Sequence, residues 1–332
     1  MKIAFFEIKD WEKKYIQEKL INQDLDFFED TLDSTDIEKI KSCDIVSTFI
    51  YSKVSKDILD KLPNLKMLAT RSTGFDHIDV KESAKKNISV CNVPFYGENT
   101  VAEHTFALIL ALSRNVHKAY VRTLNKDYSI EGLKGFDLKG RTLGVIGVGN
   151  IGKHVIRIAK SFSMHVLAYD PNPDNFVAET LHFNYTTLDE VLANSDIITL
   201  HVPDNEHTHH MINKETINKI KKGAILINTS RGGIVDTQAL IEALNDKIIS
   251  GVGLDVLEGE ELIKEEKQLL SDPQKAEYFG QIMRDKELLG KDNVVFTPHI
   301  AFYSQEALER ILDTTVDNIN NFISGNSQNL VK

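Results

Sequence analysis

Three side chains suited to proton and charge chemistry close apolar runs in the second half of the chain. Thr229-Ser230-Arg231-Gly232-Gly233 ends one run. Asp255 ends the next, with Glu260 shortly after it, and Thr297-Pro298-His299 ends a third. An arginine between an apolar run and two glycines is badly placed for core packing and well placed to reach into a crevice. Its planar guanidinium matches a carboxylate and can polarise a neighbouring carbonyl. A histidine gives and takes a proton near neutral pH. A carboxylate beside it favours the imidazolium form that a proton donor needs. Taken singly, Arg231 also reads as a surface ion pair and His299 as a polar loop residue. Placed together at successive strand ends, they read as an acid–base site acting on a carbonyl.

A second constellation lies upstream. Thr142–Ile146 is a short apolar strand, followed at once by Gly147-Val148-Gly149-Asn150-Ile151-Gly152. Ile151, Val155, Ile158, Ala159 and Phe162 then recur at helical spacing, and a second apolar run, His165–Tyr169, ends in Asp170. Strand, glycine turn, helix, strand and acid is the order that a dinucleotide site requires. Gly147 permits the tight turn, Gly149 lets a pyrophosphate approach the backbone, and Gly152 lets the helix pack closely. The free N–H groups at the helix start, around Asn150 and Ile151, face the phosphates. Asp170 can accept hydrogen bonds from a ribose diol and would repel a 2′-phosphate, which favours NAD over NADP. His201-Val202-Pro203 ends another strand and could wall an adenine, or simply terminate the strand.

The elements that must position these groups follow from composition and period. The chain has 332 residues, 42% hydrophobic and 27% charged, which suggests two soluble globular domains. A net charge of -10 with dispersed lysines argues against a nucleic-acid partner. Two cysteines, Cys43 and Cys91, make no disulfide framework and fit a reducing compartment. The N-terminal apolar run is too short for a signal peptide, and the apolar helix around Phe106–Leu112 is too short to span a bilayer. No membrane association and a cytoplasmic location are therefore expected.

Strands are expected at Lys2–Ile8, Asp44–Ile50, Leu65–Thr70 and Ile88–Asn92, with helices at Glu12–Leu20 and Ile58–Leu62 between them. A long helix is expected from Asn99 to Ser113, with Thr100 and Glu103 at capping-box spacing. Further strands at Ser195–Val202, Ala224–Thr229, Ile249–Val256 and Val294–Thr297 alternate with helices, which implies βαβ units and mostly parallel sheets. The fold class is α/β with two doubly wound domains. A Rossmann-type nucleotide domain over 99–299 is inserted into a flavodoxin-like substrate domain over 1–98 and 300–332.

These motifs together resemble the D-isomer-specific 2-hydroxyacid dehydrogenase family, and within it the D-lactate branch. The resemblance rests on Gly147–Gly152, Val202-Pro203, Thr229–Gly233, Gly253-Leu254-Asp255-Val256 with Glu260, and Thr297–His299. It implies Arg231, Glu260 and His299 as the catalytic residues and NAD as the cofactor. It implies cofactor contacts at Thr208, Thr229, Ser230 and Asp255, the last holding the nicotinamide carboxamide. The stretch Ser72-Thr73-Gly74 resembles the loop that holds the substrate carboxylate through backbone N–H groups. Tyr96 and Tyr303 resemble substrate-side aromatic residues of the D-lactate branch. The implied reaction is reversible hydride transfer between NADH and a small 2-keto acid such as pyruvate, in a cleft between the domains of a homodimer, with no metal. Glyoxylate, hydroxypyruvate or a branched 2-keto acid are alternative substrates. An NAD-sensing corepressor-like binding protein is the rival from another class.

Overall fold

Runs that are apolar almost throughout, such as Met67–Thr70 and Ala224–Asn228, suit strands covered on both faces, and both are interior strands of parallel sheets. The computed structural model describes residues 1–259 and 276–331. The chain divides into two units, Met1–Tyr96 with Ser304–Lys332, and Gly97–Tyr303.

The first unit holds β1 (Lys2–Phe5), β2 (Asp24–Phe27), β3 (Ile45–Thr48), β4 (Met67–Thr70) and β5 (Ser89–Cys91). They pair in parallel in the order β2-β1-β3-β4-β5, the flavodoxin-like winding. Strand alternation divides β1 between two cores. Ile3 and Phe5 pack with Ile16, Leu312 and Ile319, while Ala4 and Phe6 join Leu32, Leu59 and Leu68. The helix Gln305–Ile323 returns to this unit and lies against the helix Asp10–Lys19 and β4.

The second unit holds β6 (Thr142–Ile146), β7 (His165–Tyr169), β8 (Asn184–Tyr185), β9 (Ile197–Leu200), β10 (Ala224–Asn228), β11 (Ile249–Leu254) and β12 (Val294–Phe296). Their order is β12-β11-β10-β9-β6-β7-β8, again all parallel. The winding reverses between β6 and β9, as in a Rossmann sheet, and open parallel sheets bind ligands beyond the strand ends at such a reversal.

Several boundaries differ from the sequence reading for identifiable reasons. β1 stops at Phe5 because Glu7 adopts a left-handed backbone with φ 53°. β3 stops at Thr48 because the N–H groups of Phe49 and Tyr51 turn to the Glu7 carboxylate, each at 2.9 Å. The long helix begins at Glu98 with Gly97 as its cap, so Thr100 lies within its first turn and not at the cap position. The expected capping box is therefore not formed. Strand β2 and the helices Val116–Leu124, Asn175–Leu181, Leu188–Asn194 and Ala276–Leu289 are additional to the sequence reading. The second unit runs to Tyr303, some residues past the expected cut, because Ile300 and Ala301 are hydrogen-bonded to Asp255.

Candidate active site

The glycine turn is built as a ligand cradle. Gly147 has φ +94°, and its N–H donates to the carbonyl of Tyr169 at 2.8 Å, which bends the chain out of β6. A Cβ at Gly152 would strike the Gly147 carbonyl, so the helix Asn150–Ser161 can sit on the turn only with glycine there. Gly149 is different. A Cβ there would meet nothing within 4 Å, so no part of the described protein demands glycine. That open space lies at a helix start with no side-chain cap, where backbone N–H groups and the dipole favour an anion. The residues present fit a dinucleotide pyrophosphate.

Asp170 ends β7 beside this turn. One carboxylate oxygen accepts the Val148 N–H at 2.8 Å and the other the Asn172 N–H at 2.9 Å. Each oxygen keeps a second lone pair that a ribose hydroxyl could use. Val202 is buried after β9 and Pro203 is exposed beyond it. Thr208 fixes that loop, its hydroxyl donating to the Pro203 carbonyl at 2.5 Å and accepting the Asn205 N–H at 2.9 Å. His201, at the same strand end, bonds Thr199 Oγ1 through Nε2 at 2.9 Å, while its buried Nδ1 has no partner. Burial pushes its pKa down to about 3, so it stays neutral.

The Arg231 turn follows β10. Ser230 Oγ donates to the Leu200 carbonyl at 2.6 Å, and its N–H donates to Asn228 Oδ1 at 3.0 Å. Asn228 Nδ2 returns to the Arg231 carbonyl at 2.8 Å, and Arg231 Nη1 donates to the Ser230 carbonyl at 2.8 Å. Thr229 Oγ1 lies 3.1 Å from Thr105 Oγ1 on the helix Glu98–Ser113. The turn is held from several sides.

Asp255, just past β11 and 1% exposed, organises the histidine loop. Its Oδ1 accepts from Thr297 Oγ1 at 2.5 Å and from the Ile300 N–H at 2.9 Å, and its Oδ2 accepts the Ala301 N–H at 2.8 Å. Its own carbonyl accepts the His299 N–H at 2.8 Å. Three consecutive N–H groups thus converge on one residue and hold His299 in a left-handed conformation, φ 56°. A non-glycine residue there is kept only when its surroundings over-determine it. His104 Nε2 lies 2.9 Å from Thr297 Oγ1 and 3.5 Å from Asp255 Oδ1, and the His299 and Phe302 rings meet edge to face with centroids 6.4 Å apart. Glu260 lies outside the described residues.

In the first unit, Ser72, Thr73 and Gly74 follow β4. Ser72 Oγ donates to the Gly74 carbonyl at 2.6 Å and Thr73 Oγ1 to the Val93 carbonyl at 2.8 Å. With both hydroxyls turned onto the backbone, the loop has its N–H groups to offer. The Tyr96 carbonyl accepts from Arg310 Nε at 2.6 Å. Tyr303, in the second unit, is half-exposed and packs edge to face on Phe302. Burial pushes both the Cys43 and Cys91 thiols up to about 11, so neither is a ready nucleophile.

Sequence reasoning missed Asn228 and His104, and also the contact of His210 Nε2 with Glu258 Oε1 at 2.6 Å. Asn228, two residues before Ser230, has an asparagine-turn signature that could have been read locally. The others have no local signal, because their partners lie in distant segments.

Comparisons with known proteins give the family and the fold. The family model for the "D-isomer specific 2-hydroxyacid dehydrogenase, NAD binding domain" matches residues 106–301. A D-lactate dehydrogenase of Escherichia coli is 36% identical over 98% of this chain and 98% of its own length. A glyoxylate reductase of Korarchaeum cryptofilum is 36% identical over 87% of this chain and 82% of its own. The crystal structure of D-lactate dehydrogenase from Aquifex aeolicus, complexed with NAD and lactic acid, superposes with a TM-score of 0.87 at 38% identity. That match covers 98% of this chain and 96% of the other.

Proposed function

The chain belongs to the D-isomer-specific 2-hydroxyacid dehydrogenase family and is an NAD-dependent oxidoreductase, and from that premise we propose that it reduces a small 2-keto acid such as pyruvate, reversibly, to the D-2-hydroxy acid. One observation carries this reading. The Arg231 turn and the Asp255-anchored His299 loop end neighbouring strands β10, β11 and β12 of the sheet that also bears the glycine turn.

Bound NADH supplies the hydride for C2 of the keto acid. The protein's residues supply orientation and charge. Gly147, Gly149, Asn150, Ile151 and Gly152 receive the pyrophosphate. Asp170 holds the ribose, and Val202 and Pro203 flank the adenine. Thr208, Thr229 and Ser230 shape the cofactor side of the turns. Asp255 has acceptor capacity left on Oδ2 for a carboxamide N–H, after the bonds that anchor the loop. Arg231 binds the substrate carboxylate and polarises the keto oxygen. His299 gives that oxygen its proton and takes it back in oxidation, with Glu260 as its carboxylate partner. Ser72, Thr73 and Gly74 bind the carboxylate through the backbone, and Tyr96 and Tyr303 border the substrate side chain.

A homodimer joined through the second unit is part of this reading. The segment from Val116 to Ile130 exposes Val116, Tyr120, Val121, Leu124, Tyr128 and Ile130, a concentration of exposed apolar side chains of the kind that marks an interaction surface. A second copy presenting the same face would cover it. No described helix is long and apolar enough to cross a membrane. Two free, buried thiols fit a reducing cytoplasmic setting.

The test is NADH oxidation with pyruvate, glyoxylate, hydroxypyruvate and branched 2-keto acids. The highest kcat/KM is expected with pyruvate. A protein that binds NADH and reduces none of them would refute the reading.

A further inference from the structure

The turn that carries Arg231 is held by more than β10. A Cβ on Gly232 would collide with the carbonyl of Leu257, and one on Gly233 with the carboxylate of Asp204. The turn is therefore wedged between two other segments, one before His210 and one ending at Glu258. The His210 N–H donates to the Gly233 carbonyl at 2.8 Å, and the Ile212 N–H to the Ile234 carbonyl at 3.0 Å.

The two flanks are themselves joined. His210 Nε2 meets Glu258 Oε1 at 2.6 Å. The second oxygen of Glu258 accepts from Thr237 Oγ1 at 2.9 Å and from the Thr237 N–H at 3.2 Å, where the Arg231 turn runs into the helix Thr237–Asn245. Gln281 Nε2 donates to the Glu258 carbonyl at 3.1 Å and lies 3.3 Å from Thr237 Oγ1. The His209 ring stacks on His210 with centroids 4.2 Å apart. A partly exposed ion pair contributes little to stability by itself. One carboxylate that gathers three donors from two chain segments, on both sides of a wedged turn, serves geometry instead.

We propose that Glu258 and His210 form a positioning pair that sets the approach of Arg231 to the 2-keto acid. This rests on the reading of Arg231 as the carboxylate clamp. Neither residue touches substrate or cofactor in it. Their effect passes through the turn, where a displacement of about 1 Å can cost up to about 100-fold in kcat/KM.

The experiment uses the full-length protein, with steady-state kinetics in keto acid and NADH binding by fluorescence. Glu258→Ala and His210→Ala should each raise the keto-acid KM about tenfold, with kcat lowered less than about threefold and NADH affinity within about twofold of wild type. His210→Gln, which keeps an N–H donor, should recover most of the loss. In an Arg231→Lys background, Glu258→Ala should add less than about twofold, because the residue it acts through is already impaired. If Glu258→Ala does not fold, Glu258→Gln and His210→Ala carry the same comparison. Unchanged keto-acid KM overturns the proposal. So does a loss of NADH affinity in step with KM, or full multiplicativity with Arg231→Lys. A wild type that reduces no 2-keto acid overturns the function and this role with it. A normal wild type with insensitive variants overturns the positioning role alone.

Discussion

The two units are wound alike, yet they use charge at their strand ends in opposite ways. In the first, charge is spent on the backbone. Arg71, directly after β4, is 2% exposed and donates to Ser47 Oγ at 3.1 Å and to the carbonyls of Phe6 and Glu7 at 2.6 and 3.0 Å. Burial lowers its pKa, and the Glu12 and Glu7 carboxylates oppose that shift. Glu7 in turn receives Phe49, Tyr51 and Ser52. The second unit divides the tasks. Asp255 is buried and anchors a loop, while Arg231 and His299, on the turns it and its neighbours hold, are only partly buried. A charged residue at a strand end is thus not by itself a ligand-binding residue. Burial and the count of backbone partners separate the group that shapes a loop from the group the loop presents.

The strongest attempt to break this comparison is His299→Ala. Keto-acid reduction should fall about 10²–10⁴-fold, the usual contribution of a positioned acid–base group, with NADH affinity and thermal stability near wild type. A loss of stability instead would place His299 with Arg71 as a structural residue.

Arg71→Leu should do the reverse. It leaves buried carbonyls and carboxylates without their cation, so the expected loss is about 3–5 kcal/mol in urea unfolding, with NADH affinity unchanged in the protein that remains folded. A wild-type unfolding midpoint would show that the guanidinium is not structural.

His201 sharpens the comparison, since it is a second-unit strand-end residue that is partly buried like Arg231 and His299, yet its ring Nδ1 is buried without a partner. Its folded-state pKa of about 3 lies below the ordinary 6.5. The unfolded chain therefore binds the proton first as pH falls. The stability it confers is complete above pH 6.5 and is lost progressively toward pH 3. Between pH 7 and pH 5 the loss should be about 2 kcal/mol, at 1.36 kcal/mol per pKa unit. His201→Gln keeps a bond to Thr199 without titrating, so its unfolding free energy should vary less over that interval. Parallel pH curves for the two proteins would refute this.

The smallest effect belongs to Asp170→Ala. Removing the carboxylate should narrow the preference for NADH over NADPH by about tenfold in kcat/KM, since repulsion of the 2′-phosphate goes with it. Equal coenzyme efficiencies in the wild type would remove the basis for this role.

Much of the molecule was legible along the chain because the relevant physics is local. Alternating apolar runs and helical spacing mark buried strands and amphipathic helices. Gly147, Gly149, Gly152 and Asp170 read as a nucleotide turn because turn geometry and helix ends depend on residues a few positions apart. The order of these elements was enough to place an inserted Rossmann unit in a doubly wound fold. Boundaries were less legible where a distant side chain captures the backbone, as Glu7 does with Phe49 and Tyr51.

By itself, then, the sequence determined the parallel α/β class, the glycine turn with its acid, and the strand ends that carry Arg231, Asp255 and His299. Tertiary structure alone decided what each charge does there. Asp255 meets Thr297, Ile300 and Ala301 across more than forty positions, and His104 reaches Thr297 from a helix 193 positions away. Glu258 finds His210 and Thr237 in separate segments, and Arg71 disappears into the first unit beneath Phe6 and Glu7. A carboxylate or guanidinium reads the same in a sequence whether it is to be buried or presented. Its partners, and therefore its solvation and its task, are chosen by the register of strands that meet only when the sheet forms.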